Sequence, residues 1–213
     1  MYNPPQDEVE LIYEDPHFLI VNKPAGLLSV PGKSDALKDC LETRVQAHVP
    51  NARIIHRLDT ATSGIMVFAR TAHAHRHIGL QFENRQVRKT YIADIWGVPR
   101  ETSGTISLPL ICDWPNRPLQ KVDFEVGKPA ETEWEIIRTN QSISRVLLKP
   151  KTGRSHQLRV HMLELGHPIL GDNLYAHDAA WGASNRMHLH AHTLEFRHPD
   201  GGAHLTFEVA CDF

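Results

Sequence analysis

Cysteine is scarce in this chain: Cys40, Cys112 and Cys211 are odd in number, far apart and never arranged as Cys-x-x-Cys. That excludes a disulfide framework and a zinc ribbon, and the three read as reduced thiols. No apolar run approaches the roughly 20 residues that span a bilayer. The N-terminus, Met-Tyr-Asn-Pro-Pro-Gln-Asp-Glu, lacks the cationic and apolar stretches of a signal peptide, so the chain is expected in the cytoplasm and off the membrane. There is no Gly-x-Gly-x-x-Gly or Walker loop to cradle a nucleotide, and no cofactor is expected. Internal repeats and low-complexity tracts are also missing. What remains is an ordinary globular composition over 213 residues, 41% hydrophobic and 23% charged, enough to bury a full core. No composition shift divides it, and a single domain over residues 1–213 is expected.

The net charge of −2 is low for a partner of nucleic acid, whose affinity comes largely from Lys and Arg on phosphate. The distribution says more than the sum. Between Arg53 and Thr90 seven cations stand against two anions, and between Ile143 and Leu163 five cations stand against none. The first fifteen residues hold five acids and no cation. Such separation fits one basic face and an acidic back, although charge clusters are more often plain solvated surface.

Val9 to Tyr13 and Phe18 to Val21 are short apolar runs around Glu14-Asp15-Pro16-His17, the pattern of a hairpin. Ala36 to Val49 reads as a helix ended by Pro50, Ile65 to Ala69 as a strand, and Ala72 to Phe82 as a helix. Lys89 to Trp96 and Thr132 to Ile136 alternate like half-buried strands, and Arg145 to Lys149 is a further strand. Ser155 to Leu165 is a helix with Leu158, Met162 and Leu165 on one stripe and Gly166 as its stop. Leu189 to Phe196 and Leu205 to Ala210 close the chain as strands. Strands in consecutive runs predict an α+β fold with a mixed, mostly antiparallel central sheet flanked by helices and loops. Pro109 to Pro118 is a long proline-rich loop, either a rigid connector or an arm on which Trp114 and Arg117 stack bases and touch phosphate.

The feature that stands out is His56-Arg57-Leu58-Asp59-Thr60-Ala61-Thr62-Ser63-Gly64, leading into Ile65-Met66-Val67-Phe68-Ala69. It puts a carboxylate beside a cation and hydroxyl residues, in a loop held by a buried strand, a common way to mount a reactive group. An Asp beside an Arg is, taken alone, most often a turn residue or a surface ion pair. Tyr91 in Arg88-Lys89-Thr90-Tyr91 offers a flat ring that stacks on a base, or ordinary strand packing. Arg159, in Gly153-Arg154-Ser155-His156-Gln157-Leu158-Arg159, offers a guanidinium that holds a carboxylate charged and oriented, or a solvated helix residue. His188-Leu189-His190-Ala191-His192 places three imidazoles on one strand face. Without a carboxylate or second His at ligand spacing, and with no His-Glu-x-x-His, a metal is not expected there.

These segments, beginning at Val21-Asn22-Lys23-Pro24-Ala25-Gly26 and running to Leu189-His190-Ala191, resemble the RluA-type pseudouridine synthases over about 85% of the chain. The resemblance implies that family's catalytic fold, as a stand-alone catalytic domain without an N-terminal S4-like module. It implies a cofactor-free isomerase that turns uridine into pseudouridine in RNA. It makes Asp59 the catalytic aspartate, Tyr91 the active-site tyrosine and Arg159 the basic partner of Asp59. Arg57 becomes the residue that enters the RNA where the flipped base had been, and Ile169 and Leu170 the aliphatic lining of the uracil pocket. Arg154 is a weaker candidate for phosphate at the helix start. The Leu108–Pro118 segment resembles the short subgroup, which implies RNA partners of two kinds, the tRNA anticodon stem-loop and a 23S ribosomal RNA stem-loop, and a monomer. Two readings of other classes stand beside it: a non-catalytic RNA binder using the same basic face, and a histidine-metal hydrolase.

Overall fold

The computed structural model describes residues 2–213. In chain order its strands are β1 (Glu10–Glu14), β2 (Phe18–Lys23), β3 (Arg53–Ile54), β4 (Ser63–Ala69), β5 (Arg88–Trp96), β6 (Ser103–Ser107), β7 (Leu110–Cys112), β8 (Gln120–Val122), β9 (Glu131–Thr139), β10 (Ile143–Pro150), β11 (Leu189–Arg197) and β12 (His204–Glu208). The helices are α1 (Leu41–His48), α2 (Ala72–Glu83), α3 (Gln157–Glu164) and α4 (Asp178–Gly182), with 3-10 turns at Asp35–Leu37 and Trp114–Asn116. The fold is α+β with mostly antiparallel strands, as the strand runs predict. No helix of the described residues is long and apolar enough to cross a membrane.

The chain forms two compact units, one of Met1–Lys89 with Ala191–Asp212 and one of Thr90–His190 with Phe213. It passes from the first to the second within β5 and returns within β11. In the first unit the strand order is β1-β2-β4-β11, with β3 on β4 and β12 on β11. The β1–β2 hairpin forms as expected, closed by Asp15, whose carboxylate accepts the His17 and Phe18 N–H groups. β2 and β4 run antiparallel and are almost wholly buried, Phe18 to Val21 and Ile65 to Ala69 being at most 1% exposed. The Phe18, Phe196 and Phe207 rings pack against one another beside them.

The second unit orders its strands β5-β10-β9-β6, all antiparallel. Ile92 to Ile95 are all buried, so β5 is covered on both faces and its middle is not the half-buried strand that alternation suggests. α3 is buried all round from Gln157 to Met162 and not on a single apolar stripe. Its polar residues are satisfied internally. The Gln157 amide donates to the Glu131 carbonyl and Thr132 Oγ1 and accepts from Thr152 Oγ1 and the Arg154 N–H.

Two expectations about local structure change. The segment Ala36 to Val49 is not one helix: α1 begins at Leu41, because Cys40 and Thr43 cap each other and Arg44 takes the Asp39 carboxylate through two N–H groups at 2.7 Å. The stretch from Pro109 to Pro118 is not an irregular loop. β7 and β8 pair through Leu110 with Val122, Ile111 with Lys121 and Cys112 with Gln120, and the Trp114–Asn116 turn forms the tip of this hairpin. Its root packs on α3 through Leu110, Ala130, Val160, Val122 and Tyr175.

Candidate active site

In the first unit, the aspartate loop is positioned by buried donors. Lys23 is fully buried at the end of β2, and its ammonium donates to the carbonyls of Pro24 (2.9 Å), Leu27 (2.7 Å) and Thr60 (3.1 Å). The Gly26 N–H reaches the same Thr60 carbonyl at 2.8 Å. Ser29 brackets Leu58, donating its hydroxyl to the Leu58 carbonyl (2.7 Å) and accepting the Leu58 N–H (3.1 Å). The Thr62 N–H closes a turn on the Asp59 carbonyl at 3.1 Å. Asp59 is therefore framed on both sides by fixed main chain, half-buried itself, while Arg57 is exposed. Gly64 ends the loop at φ 114°, where a Cβ would lie 2.2 Å from the Ala191 carbonyl oxygen. Only glycine lets β4 come that close to β11.

His56 precedes Arg57 and is held neutral. Its ring keeps an accessible edge, but the protein packed around it, with the Lys89 ammonium second, pushes the imidazole down to about 3. Nε2 accepts the Val67 N–H at 3.2 Å, and the ring stacks on Phe82 at 4.7 Å. Lys89 lies over the same Phe82 ring at 5.9 Å, and burial lowers its ammonium below the ordinary lysine value. A neutral imidazole that accepts a strand N–H fixes the entry to the loop and carries no charge of its own.

In the second unit, Tyr91 stands on β5 opposite Leu148 of β10 and is half-buried. Arg159 is 3% exposed, and the carboxylate that holds it in this unit is Asp172, itself 1% exposed. Nε donates to Oδ2 at 2.7 Å and Nη2 to Oδ1 at 2.6 Å, a bidentate pair of fixed geometry. The guanidinium lies over the Tyr175 ring at 5.0 Å. Arg159 is thus no solvated helix residue, and Asp172 anchors it. Arg154 is half-buried and donates Nε to the Pro129 carbonyl at 3.1 Å. Ile169 and Leu170 are 1% and 2% exposed; Ile169 bridges to Ile95, and the Leu170 N–H reaches the Asp94 carbonyl. On the hairpin, Trp114 is 64% exposed, with the Arg117 guanidinium stacked on it at 4.1 Å.

The histidine run separates into different roles. His188 is tied to Asp94 at 3.0 Å and to Ser184 at 2.8 Å, His190 is buried, and His192 pairs through Nδ1 with the Val209 carbonyl at 2.8 Å. Among the described residues no group of three His, Cys, Asp or Glu could hold a metal ion. Burial alone would raise Asp94, but Arg145 and His188 outweigh it and hold the carboxyl at about 2.

Residues 17–164 match the family described as RNA pseudouridylate synthase. The chain belongs to that family. Pseudouridine synthases are isomerases, and this one acts on RNA. Its relatives include the proteins named dual-specificity RNA pseudouridine synthase RluA from Salmonella typhi and Escherichia coli K12, each 52% identical over 100% of this chain and 98% of the relative. The Vibrio cholerae protein of the same name is 46% identical over 100% of this chain and 87% of its own length. Among solved structures, human RNA pseudouridylate synthase domain containing 1 superposes with a TM-score of 0.80 at 29% identity, covering 99% of this chain and 86% of that one.

The sequence reading missed Lys23, Ser29 and Asp172, which touch the loop or the arginine. Lys23 lies in the Asn22-Lys23-Pro24 run, and Asp172 two residues after Leu170. Which partner each side chain takes is a long-range fact that spacing does not carry.

Proposed function

We propose that this synthase isomerises uridines in two kinds of RNA, position 32 of tRNA anticodon stem-loops and position 746 of 23S rRNA. The observation that carries the reading is full-length identity of 52% to relatives whose name states dual specificity. The reaction is redox-neutral: the C1′–N1 bond breaks, C1′–C5 forms, a proton leaves C5 and N1 takes one up. Asp59 supplies the carboxylate, either as nucleophile at C1′ or as base toward the ribose. Tyr91 stacks on the extruded uracil, and Arg159, oriented by Asp172, is the basic partner of Asp59. Arg57 fills the gap left by the flipped base, Ile169 and Leu170 supply the apolar wall of the uracil pocket, and Arg154 meets phosphate. Trp114 and Arg117 stack on unpaired bases of the stem-loop, the part of RNA where sequence is open to reading. The chain works as one catalytic domain, a cytoplasmic monomer.

Tritium release from RNA labelled at uridine C5 tests it. Asp59→Asn keeps the size and removes the charge, so release stops while RNA affinity stays within a few-fold. Release near wild type in that variant overturns the assignment of Asp59. A chelator leaves the wild-type rate unchanged.

A further inference from the structure

The loop after Leu170 carries Tyr175, whose ring and hydroxyl meet different parts of the second unit. The ring lies against the Arg159 guanidinium at 5.0 Å and packs on Leu110, Ala130 and Val160, at the root of the β7–β8 hairpin. The hydroxyl accepts the Gln120 N–H of β8 at 2.8 Å and shares a hydrogen bond with His156 Nδ1 at 2.6 Å. Asp172 sets the loop beneath it: the Oδ1 that binds Arg159 also accepts the Leu174 and Tyr175 N–H groups at 2.9 and 3.3 Å.

Each of these contacts is costly to move. His156 opens α3 in the left-handed region at φ 54°, which a non-glycine residue adopts only when its surroundings hold it there. Tyr175 supplies one such hold on His156, which lies three residues before Arg159. Gln120 opens β8, across the hairpin from Cys112, two residues before the tip that bears exposed Trp114 and stacked Arg117. One phenol therefore joins the strand below the hairpin tip, the start of α3 and the face of the arginine. A shift of the hairpin by a fraction of an ångström strains the Gln120–Tyr175 bond, and packed contacts pass such a shift to the guanidinium.

We infer that Tyr175 is a positioning residue that couples RNA engagement at the β7–β8 hairpin to the setting of Arg159, so that stacking at Trp114 and Arg117 raises turnover and does not only tighten binding. The inference rests on the roles proposed above for the hairpin and for Arg159. Tyr175→Phe removes the hydroxyl and keeps the ring. The test is a cycle of Tyr175→Phe, Trp114→Ala with Arg117→Ala, and the triple variant, read by tritium release as separate kcat and KM on a tRNA anticodon stem-loop.

With the wild-type tyrosine, loss of the hairpin pair lowers kcat about tenfold as well as raising KM, a size within the interaction energies of residues in contact. Tyr175→Phe lowers kcat by a similar factor at little change in KM. In the triple variant the hairpin substitutions raise KM only. Multiplicative kcat losses, or an unchanged kcat in Tyr175→Phe, overturn the coupling. His156→Asn, which keeps a residue tolerant of the left-handed region but removes the imidazole, repeats the cycle should Tyr175→Phe melt early. Loss of the hairpin pair that changes neither kcat nor KM speaks instead against the RNA role of Trp114 and Arg117, and Asp59→Asn that stays active speaks against the reaction assignment, so the three failures are distinct.

Discussion

The aspartate loop and the arginine helix are anchored by opposite means. The Asp59 loop is held through main chain, by the Ser29 hydroxyl and by one ammonium, Lys23, which serves carbonyls. Around Arg159 the anchor is a carboxylate, Asp172, that meets charge with charge in a site closed to solvent. The first arrangement fixes the path of the chain and leaves its carboxyl-bearing side chain half-exposed. The second fixes the side chain itself, through a bidentate carboxylate.

The sharpest break of this comparison is Asp172→Ala. It leaves the Arg159 guanidinium, 3% exposed, without its bidentate partner, and costs about 3–5 kcal/mol, read as a lowered denaturant midpoint. Lys23→Met keeps length and leaves three carbonyls without their shared donor, costing about 2–3 kcal/mol and lowering turnover as the Asp59 loop loosens.

pH separates the units more gently. Asp94, held at about 2 in the second unit against its ordinary 3.8, adds stability that is complete above the unfolded value and lost as pH falls toward 2. Its share is about 2 kcal/mol, and Asp94→Asn flattens the acid limb of a stability profile by that amount. In the first unit burial pushes His198 down, but the Asp15 carboxylate at 2.9 Å and Asp200 outweigh this and raise it. Its share is complete below the unfolded imidazole value and is lost as pH rises through the raised folded one. His198→Ala removes this alkaline decline, an effect of less than about 1 kcal/mol for a partly solvated pair. Arg57→Ala is the smallest change: the residue is exposed, so melting shifts by no more than about 0.5 kcal/mol while KM for RNA rises. A large loss of stability there would show that Arg57 anchors the loop as Lys23 does.

Much of this was legible in the residues. The apolar runs at Phe18 and Ile65 announced β2 and β4, Gly166 with φ 87° ended α3 as its position suggested, and the aspartate loop was marked by its own spacing. What escaped had physical reasons. β6 is Ser-Gly-Thr-Ile-Ser, an edge strand with one buried residue and no alternation to read. β7 and β8 are three residues long, too short for a period to register. The start of α1 was decided by Asp39 pairing with Arg44 and by the Cys40–Thr43 cap, side-chain choices that composition does not express. Arg159 was seen, and its anchor was not, because Asp172 lies thirteen residues away on the far side of a turn.

The double passage of the chain through β5 and β11 has a consequence for biosynthesis. The first unit draws its strands from both sides of Thr90–His190, so a growing polypeptide has all of the second unit but Phe213 in hand before the partner of Gly64 at Ala191 leaves the ribosome. Until then the part of the far edge of β4 that β3 does not cover waits open, and a truncation before residue 191 exposes it permanently, a template for pairing with other chains.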